Sequence, residues 1–583
     1  MRLKITKSKN AQSFYIIRST YVNGKRSSQI VEKLGTLEEL SKKHEDPVAW
    51  AKQYAKILTK QENEQKRNAV IYLSQSSLID KDQRRSFNGG YLFLQQIYYR
   101  LGLHKICAEI SKEFKFTYDL NSVLSRLIFA RVIFPCSKLS TFEQSKHFIE
   151  QPNFELQHIY RALDVLANKN IFIQSQLYKN SCKLGKRNDR ILFYDCTNFF
   201  FESECESGLR QYGISKEYRP NPIVQMGLFM DGDGIPLAFS ITPGNQNEQL
   251  TLVPLEEKII NDFDHSKFVV CTDAGLSSTA NRLFNNKKDL AFVTTQSIKK
   301  LKKHLKAWCL DPTGWKLSND NKTFDIRTLE TDEASEAKYK DQIFYKERWI
   351  NENNLEQKLI VTFSPKYKKY QEYIRQRQLN RANEYISKGA SSINKSAPTD
   401  CKRFIKRTHI TKDGEVAKQT ILSLNQDTVD KEAMYDGFYA VCTNLEENAA
   451  TISKINRSRW EIEECFRIMK TDFESRPVYL RDDNRIKAHF LTCFLGLVVF
   501  RYLEKMVEYK YTSDKLISTL RNMYFLALKG EGYIPTYERN EVTDCLHDAF
   551  CFRTDNKILS TKQMKKIFTE TKKQKKYSHI HNN

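Results

Sequence analysis

Three acidic residues stand where an acid could do chemistry: Asp195, Asp273 and Glu463. Asp195 closes the apolar run Ile191-Leu192-Phe193-Tyr194. Asp273 follows a second such run, Lys267–Thr272, and is followed by Ala274-Gly275, a sharp exit. Glu463 lies within Asn456-Arg457-Ser458-Arg459-Trp460-Glu461-Ile462-Glu463-Glu464-Cys465-Phe466-Arg467-Ile468-Met469-Lys470. On a helix turning ~100° per residue, Arg459, Glu463 and Lys470 fall at about 0°, 40° and 20°. One acid is then flanked by two bases on one stripe. Ile462, Phe466 and Met469 make a neighbouring apolar stripe that can pack on a sheet. Carboxylates that converge repel each other and are stable together mainly when they bind cations. Hard oxygen ligands with open positions suit Mg²⁺. Two such ions about 4 Å apart can activate a water or a sugar hydroxyl and stabilise the leaving oxygen at a phosphodiester. Taken singly, each aspartate is an ordinary strand-end residue, and the glutamate an ordinary helical one with i,i+4 partners. Topology has to decide.

The elements that must position these residues follow from periodicity. Residues 1–45 form a small β-rich unit. Its strands Ser13–Arg18 and Ser28–Lys33 flank the hairpin signal Asn23-Gly24. Residues 46–186 are helical, from Pro47 to about Lys66 and again from Phe87 onward, where Pro135 separates Leu120–Ile133 from Leu139–Phe148. That break permits a helix-turn-helix, although most such pairs simply pack together. At Ile191 the period changes. Strands Ile191–Asp195, Ile223–Met230 and Ile235–Ile241 come first, the last two joined by Asp231-Gly232-Asp233-Gly234. That tetrapeptide is a hairpin turn, since a calcium loop would need further oxygen ligands and a terminal Glu. Helix Gln249–Phe263, strand Lys267–Thr272, helix Thr279–Asn286 and strand Leu290–Thr295 follow. The order β-β-β-α-β-α-β is that of a ribonuclease-H-like, retroviral-integrase-like α/β core, in which the first and fourth strands are adjacent and parallel. Their C-terminal ends would carry Asp195 and Asp273 side by side, at the edge where open α/β sheets place ligands.

Residues 296–435 do not continue that order and are expected to form a β-rich insertion domain. They hold the basic run Lys299–Lys303, Trp308, Trp315, strands Gln342–Tyr345 and Leu359–Phe363, a basic helix Tyr367–Ile386 and a loop from Lys388 to Asp400. The core thus has two parts, 187–295 and 436–510, the second with helices Ala449–Phe473 and Arg485–Tyr509. Residues 511–583 form a C-terminal helical region and basic tail.

Composition bounds the function. The chain has 583 residues, Lys plus Arg 94 against Asp plus Glu 70, and a net charge of +24. The length suggests roughly three or four domains. Hydrophobic residues make up 40% and aromatic residues 12%, enough to exclude a wholly disordered chain. The longest apolar stretch, Phe490–Phe500, is short for a membrane span. No secretory apolar stretch follows Met1. The 13 scattered cysteines, without a C-x-x-C pair, fit reduced thiols in a cytosol and argue against a zinc ribbon. The charge points to a polyanionic partner, nucleic acid first and an anionic membrane surface second.

The motifs together resemble an insertion-sequence DDE transposase of the Tyr-Arg-Glu-Lys signature group, a cut-and-paste type. Of Y-x2-R-x3-E-x6-K, the chain keeps Arg459, Glu463 and Lys470, with Asn456 in the tyrosine position. Tyr194-Asp195-Cys196-Thr197 and Thr272-Asp273-Ala274-Gly275 match the segments around the family's two aspartates. Tyr212-Gly213-Ile214-Ser215-Lys216-Glu217-Tyr218-Arg219-Pro220, Gly234-Ile235-Pro236-Leu237, Pro243-Gly244-Asn245 and Arg485–Phe490 match others. The acids are 78 and 190 residues apart, and the longer interval is where such transposases carry a β-rich insertion.

The resemblance implies DNA cleavage and strand transfer at the ends of a mobile element, with Asp195, Asp273 and Glu463 holding two Mg²⁺, Mn²⁺ substituting. It implies DNA contacts from Arg459 and Lys470, and at the Asn456 position. It makes Lys216 and Arg219 candidates for backbone contacts, and Trp308 and Trp315 candidates for stacking on a flipped base, although a core role suits each tryptophan and a solvated loop suits the other two. It also implies end binding by residues 46–186, double-stranded DNA (its own terminal inverted repeats and a target) as partner, a dimer on DNA, no membrane, and work in a bacterial cytosol on the nucleoid. Thr197 and Asn198 would lie near the metals, and His489 suits a packed helix. The competing readings are a catalytically inactive or repurposed DNA-binding relative, a ribonuclease-H-like nuclease without strand transfer, and an RNA-binding scaffold.

Overall fold

The computed structural model describes residues 1–8, 11–22, 25–65, 76, 78–79, 81–287, 289–318, 320–329, 333–389, 400–410, 419–528 and 530–573. They fall into two compact units: Met1–Arg85 with Leu526–Ile534 and Asp555–Met564, and Ser86–Phe525 with Pro535–Thr554 and the residues from Lys565 onward.

In the first unit, strands β1 (Arg2–Lys7), β2 (Gln12–Val22) and β3 (Lys25–Thr36) form an antiparallel sheet in that order. Periodicity finds β2 and β3 but not β1. That edge strand is exposed at all but one residue, so it carries no buried alternation to read. The Asn23-Gly24 turn lies outside the described residues. Thr36 and Glu39 exchange hydrogen bonds as a capping box for helix Leu37–Ser41. Helix Pro47–Gln65 then packs on the sheet, with Phe14, Leu40 and Ala51 at the centre.

The second unit opens with helices Tyr91–Arg100, Leu103–Glu113, Leu120–Ile133, Lys138–Ser145, Leu156–Asn168 and Asn170–Leu184. The pair around Pro135 bends by 98°. Leu120–Ile133 is buried along nearly its whole length, so it serves as a core element. The helix that ties this layer to the sheet comes much later in the chain. Asp483–Met506 packs against Tyr91–Arg100, Leu120–Ile133 and Leu156–Asn168. On its other side Phe490 and Phe494 meet Phe199 and Phe239 of the sheet at 4.8 and 4.9 Å between ring centroids. It is long and apolar enough to cross a membrane, but 94% of its apolar window is buried inside the protein.

The large sheet has ten strands: β4 (Ile191–Phe200), β5 (Ile223–Asp231), β6 (Pro236–Pro243), β7 (Phe268–Thr272), β8 (Leu290–Thr295), β9 (Trp315–Leu317), β10 (Asp320–Phe324), β11 (Phe344–Glu352), β12 (Leu355–Phe363) and, after a separate hairpin β13–β14 (Ile405–Ile410, Gln419–Leu424), β15 (Phe438–Thr443). Their order is β10-β9-β11-β12-β15-β8-β7-β4-β5-β6. The expected β-β-β-α-β-α-β order holds, with helices Leu252–Asp262 and Thr279–Phe284. β4 and β7 are parallel neighbours, Phe193 opposite Cys271. The Asp231–Gly234 turn is closed by Asp231 Oδ1, which accepts from the Asp233 and Ile235 N–H groups, while Gly234 takes φ +73°.

Three expectations need correction. Asp195 does not end its strand. β4 runs five residues further, because Cys196–Phe200 are buried and paired with β5 as far as Phe200 opposite Ile223. Four strands of residues 296–435, β9 to β12, do not stand apart from the core sheet, while the β13–β14 hairpin forms a sheet of its own. β12 pairs with β15 from Lys358 opposite Thr443 to Phe363 opposite Phe438, so the insertion extends the sheet past its edge. Asn353 and Asn354, both at positive φ, make the tight β11–β12 turn. The C-terminal region is not helical throughout. Beside helices Ser513–Asn522, Glu541–Phe550 and Thr561–Thr571 it holds strands Tyr524–Leu528 and Gly532–Pro535. Residues 390–399 of the expected loop and 574–583 of the tail lie outside the described residues. All 13 cysteines are free thiols.

One buried acid in this core gives a stability test. Glu256 is fully buried on helix Leu252–Asp262, and burial pushes its carboxyl up to about 8. Asn285 donates to its Oε1 at 2.8 Å, but Glu256 Oε2 and Asn285 Oδ1 have no partner. A proton on the carboxyl supplies a donor there. Between the ordinary carboxylate range and about 8, the folded state keeps a proton that the unfolded state has released. Stability is therefore expected to fall as pH rises through that window. Glu256→Gln should flatten this dependence and raise the melting temperature at alkaline pH, as thermal melts at acidic and alkaline pH would show. An unchanged pH profile would remove Glu256 from the account.

Candidate active site

Asp195 and Asp273 are brought together by register. Each lies two residues past the paired Phe193 and Cys271, so the parallel β4 and β7 carry them to the same level. Backbone N–H groups fix both carboxylates. Cys196 N donates to Asp195 Oδ1 at 2.8 Å, and Leu276 N to Asp273 Oδ1 at 3.0 Å. No described group donates to either Oδ2. A Cβ on Gly275 would come within 3.3 Å of the Asp273 carboxylate, so glycine keeps the exit from β7 clear. Burial raises the Asp195 pKa to about 6, Lys216 opposes that rise, and the like charge of Asp273 adds to it. A pair of hard oxygen donors that repel each other in a partly buried place fits a divalent cation, which would relieve both costs.

Glu463 does not join them. Among the described residues, no three His, Cys, Asp or Glu side chains gather closely enough to hold a metal ion. The expected single helix 449–473 is broken into Ala449–Arg457 and Trp460–Arg467, and it ends in a π-helical turn over Ile468–Asp472. Arg459 is therefore the N-cap of the second piece, and a π turn changes the azimuth at which Lys470 leaves the axis. The regular stripe drawn from ~100° per residue does not apply across these breaks. Glu463 is two-thirds exposed and stands 4.0 Å from Arg459, while the charge of Arg459 acts on Asp195. Arg459 is the link between the aspartate pair and the glutamate.

The other candidates separate. Lys216 reaches the site from the loop between β4 and β5. Its Nζ donates to Cys196 O at 2.6 Å and pairs with Glu248 at 3.0 Å. Burial pulls its pKa down, but Glu248, helped by Asp195 and Cys196, more than offsets this and leaves it above the ordinary value. Asn198 pins that loop through Ile214 O and Lys216 N, a positioning part that does not touch Asp195. Burial and the nearby Lys216 lower Lys470 to about 8, with Asp195 opposing. Its Nζ also lies 3.2 Å from Glu217 Oε1. Arg219 is half exposed and stacks over the Phe200 ring at 4.3 Å.

Asn456 is not placed to touch DNA. It is buried, donates to Tyr439 Oη at 2.9 Å and faces the Cys271 thiol. Trp315 is not a stacking platform either. It is fully buried in the core formed with β11 and β12, and its Nε1 donates to Asp311 O at 3.0 Å. Trp308 is half-buried at the edge of that core, with Arg348 5.3 Å from its ring. His489 is buried and bonded to Ser475 O, a packed residue.

Sequence reasoning missed Glu217 and Glu248, which pair with Lys470 and Lys216 near the aspartates, and Arg476, a further cation paired with Glu217. Glu217 lies inside a motif that the sequence does display. Its sign, opposite to that of the two bases beside it, was the available signal.

The family model described as the transposase DDE domain matches residues 186–499, more than half of the chain. No curated protein matches it. Among solved structures, the piggyBac transposase synaptic complex with hairpin DNA is 10% identical, covering 82% of this chain and 84% of that chain at a TM-score of 0.33. The Mos1 transposase paired-end complex with left transposon end is 12% identical, covering 39% of this chain and 63% of that chain at a TM-score of 0.12. Likenesses this loose carry no argument.

Proposed function

The chain belongs to the transposase DDE-domain family, and from that premise we propose that it binds the ends of a mobile DNA element, cuts there and transfers the freed strand to a target. The observation that carries this reading is the level, side-by-side placement of Asp195 and Asp273 on parallel strands, with Arg459 and Lys470 within electrostatic reach. The first half of the ten-stranded sheet, β6-β5-β4-β7-β8, supports a ribonuclease-H-like core.

In this reading Asp195 and Asp273 hold divalent metal, two Mg²⁺ with Mn²⁺ substituting, and Glu463 joins them after leaving Arg459. Bound metal supplies Lewis acidity and a nucleophile active at neutral pH. The protein's own part is positioning. The Cys196 and Leu276 N–H groups aim the two carboxylates. Arg459 and Lys470 hold DNA phosphates beside them. Lys216 neutralises charge next to Asp195, and Arg219 offers a further cation at the rim. Residues 46–186 are the proposed end-binding region. The partners are the element's terminal inverted repeats and a target duplex, met as a dimer in the cytosol on the nucleoid.

The exposed position of Glu463 favours a second reading, a DNA-binding relative that does not cut. Purified protein given labelled duplex carrying the inverted repeats that flank its gene separates the readings. Cut ends and joined products that require Mg²⁺ or Mn²⁺ are expected. Binding without any cutting would establish the second reading, and cutting without joining would leave only a nuclease.

A further inference from the structure

Beyond Asp195, β4 ends in Phe199 and Phe200, and three cations sit over these two rings. Lys470 Nζ is 5.6 Å from the Phe199 ring centre, and the Arg476 and Arg219 guanidiniums are 5.7 and 4.3 Å from that of Phe200. Aromatic faces hold cations without neutralising them. The charge at the centre of the cage comes from Glu217. Its Oε1 is 3.2 Å from Lys470 Nζ, its Oε2 accepts from Arg476 Nη1, and Arg219 Nε stands 3.9 Å from that same oxygen. Three positive charges around one carboxylate leave the cage at +2.

The segment that delivers Glu217 has little apolar anchorage. Ile214 and Tyr218 on either side of it are more than nine-tenths exposed. Tyr218 also takes φ +57°, a left-handed conformation that a non-glycine residue adopts at some cost. Ser215 Oγ, accepting from the Glu217 and Arg219 N–H groups, and the ion pairs hold the turn in place.

We propose that this cage is a binding site for a DNA backbone phosphate, and that Glu217 is its resident stand-in, displaced when DNA arrives. A carboxylate and a phosphodiester each carry one negative charge and present oxygens to a guanidinium in the same way. The exchange therefore costs the cage no net charge. It sets a threshold: only DNA seated along the Asp195 face gathers enough contacts to evict the carboxylate, so loose non-specific binding is held down. Arg476 becomes a third phosphate-binding residue beside Lys470 and Arg219. The inference rests on the proposed DNA chemistry of this site but adds a separate, testable part.

Glu217→Gln keeps the size of the side chain and removes its charge. Fluorescence anisotropy with a labelled duplex is the readout, for wild type and variant across a salt series. The variant is expected to bind about tenfold tighter at low salt, the scale of one charge-assisted hydrogen bond. Its log K against log salt should be steeper by about 0.9, because the cage without its own carboxylate has one more net positive charge with which to neutralise a phosphate. Equal or weaker binding with an unchanged slope would overturn the proposal while leaving the DNA reading intact. Failure of wild type to bind duplex at any salt would overturn both. Should the Gln variant not fold, Glu217→Asp, which draws the carboxylate back by one methylene, should give a smaller gain of the same sign. A loss would count against the proposal.

Discussion

Replacing Asp195 or Asp273 by asparagine is expected to stop DNA cutting and leave DNA binding in place. Both substitutions keep the shape of the side chain and the hydrogen bond from the backbone N–H that aims it. Both remove a charge that a divalent ion needs. Metal-centred charge stabilisation is worth several kcal/mol at the transition state. At about 1.4 kcal/mol per decade, cleavage should fall on the order of 10³-fold or more. Binding should change little, because most of its energy comes from phosphate contacts elsewhere on the basic surface. The variants should also relieve a cost. The pKa of Asp195 is raised by burial and by Asp273, so a neutral side chain at either position removes a repulsion that the folded state bears. Single-turnover cleavage of labelled duplex, with anisotropy and a thermal melt on the same preparations, is the measurement. An Asn variant that cuts at the wild-type rate would end the assignment of these residues.

The second large effect concerns Glu463. The ion pair that holds it is long and its carboxylate end is exposed, of the kind worth little to stability. Rotation away from Arg459 is therefore cheap. Glu463→Gln is expected to lower cleavage on the order of 10³-fold with binding nearly unchanged and with no loss of folding stability, since the residue is mostly in water. That combination separates a third carboxylate recruited in the DNA complex from an ordinary surface glutamate. A cleavage rate within a factor of about two of wild type would limit the metal-binding set to the aspartates, since surface substitutions of this kind normally have small effects. The same assay on Arg459→Gln helps to read the result, because that change frees Glu463 and removes a cation next to Asp195 in one step.

Several features are legible in the chain itself. The two aspartates stand at changes of period, where apolar runs of strand length give way to polar residues or small ones. The three-strand-then-alternating order follows from those periods alone, and the parallel pairing of β4 and β7 bears it out. These signals are local, because a strand or helix states its own period within one or two turns. Even here the limits show. β4 continues through five buried residues past Asp195 because β5 pairs with them, and no local period announces where pairing stops.

What failed was information about partners distant in sequence. A strand in residues 296–435 can be recognised, but its neighbour cannot, since β12 finds β15 some 75 residues later and so joins the core sheet. Trp315 and Trp308 look equivalent in sequence. Packing seals one in the core and leaves the other at its edge. The Arg459, Glu463 and Lys470 stripe assumed an unbroken helix. The segment instead breaks at Ser458 and takes a π turn after Arg467, where it packs against the sheet and Asp483–Met506.

The sequence by itself determined the chemistry available: two strand-borne acids, a helical acid between bases, and a cationic surplus suited to DNA. Only the tertiary structure decided which charges face each other, placing Asp195 beside Asp273, Glu463 against Arg459, and Glu217 in the midst of Lys470, Arg476 and Arg219. The physical reason is range. Side-chain type and period are set residue by residue, whereas electrostatic neighbours are chosen by a sheet that joins segments hundreds of positions apart, where a displacement of a few ångströms turns a ligand into a bystander.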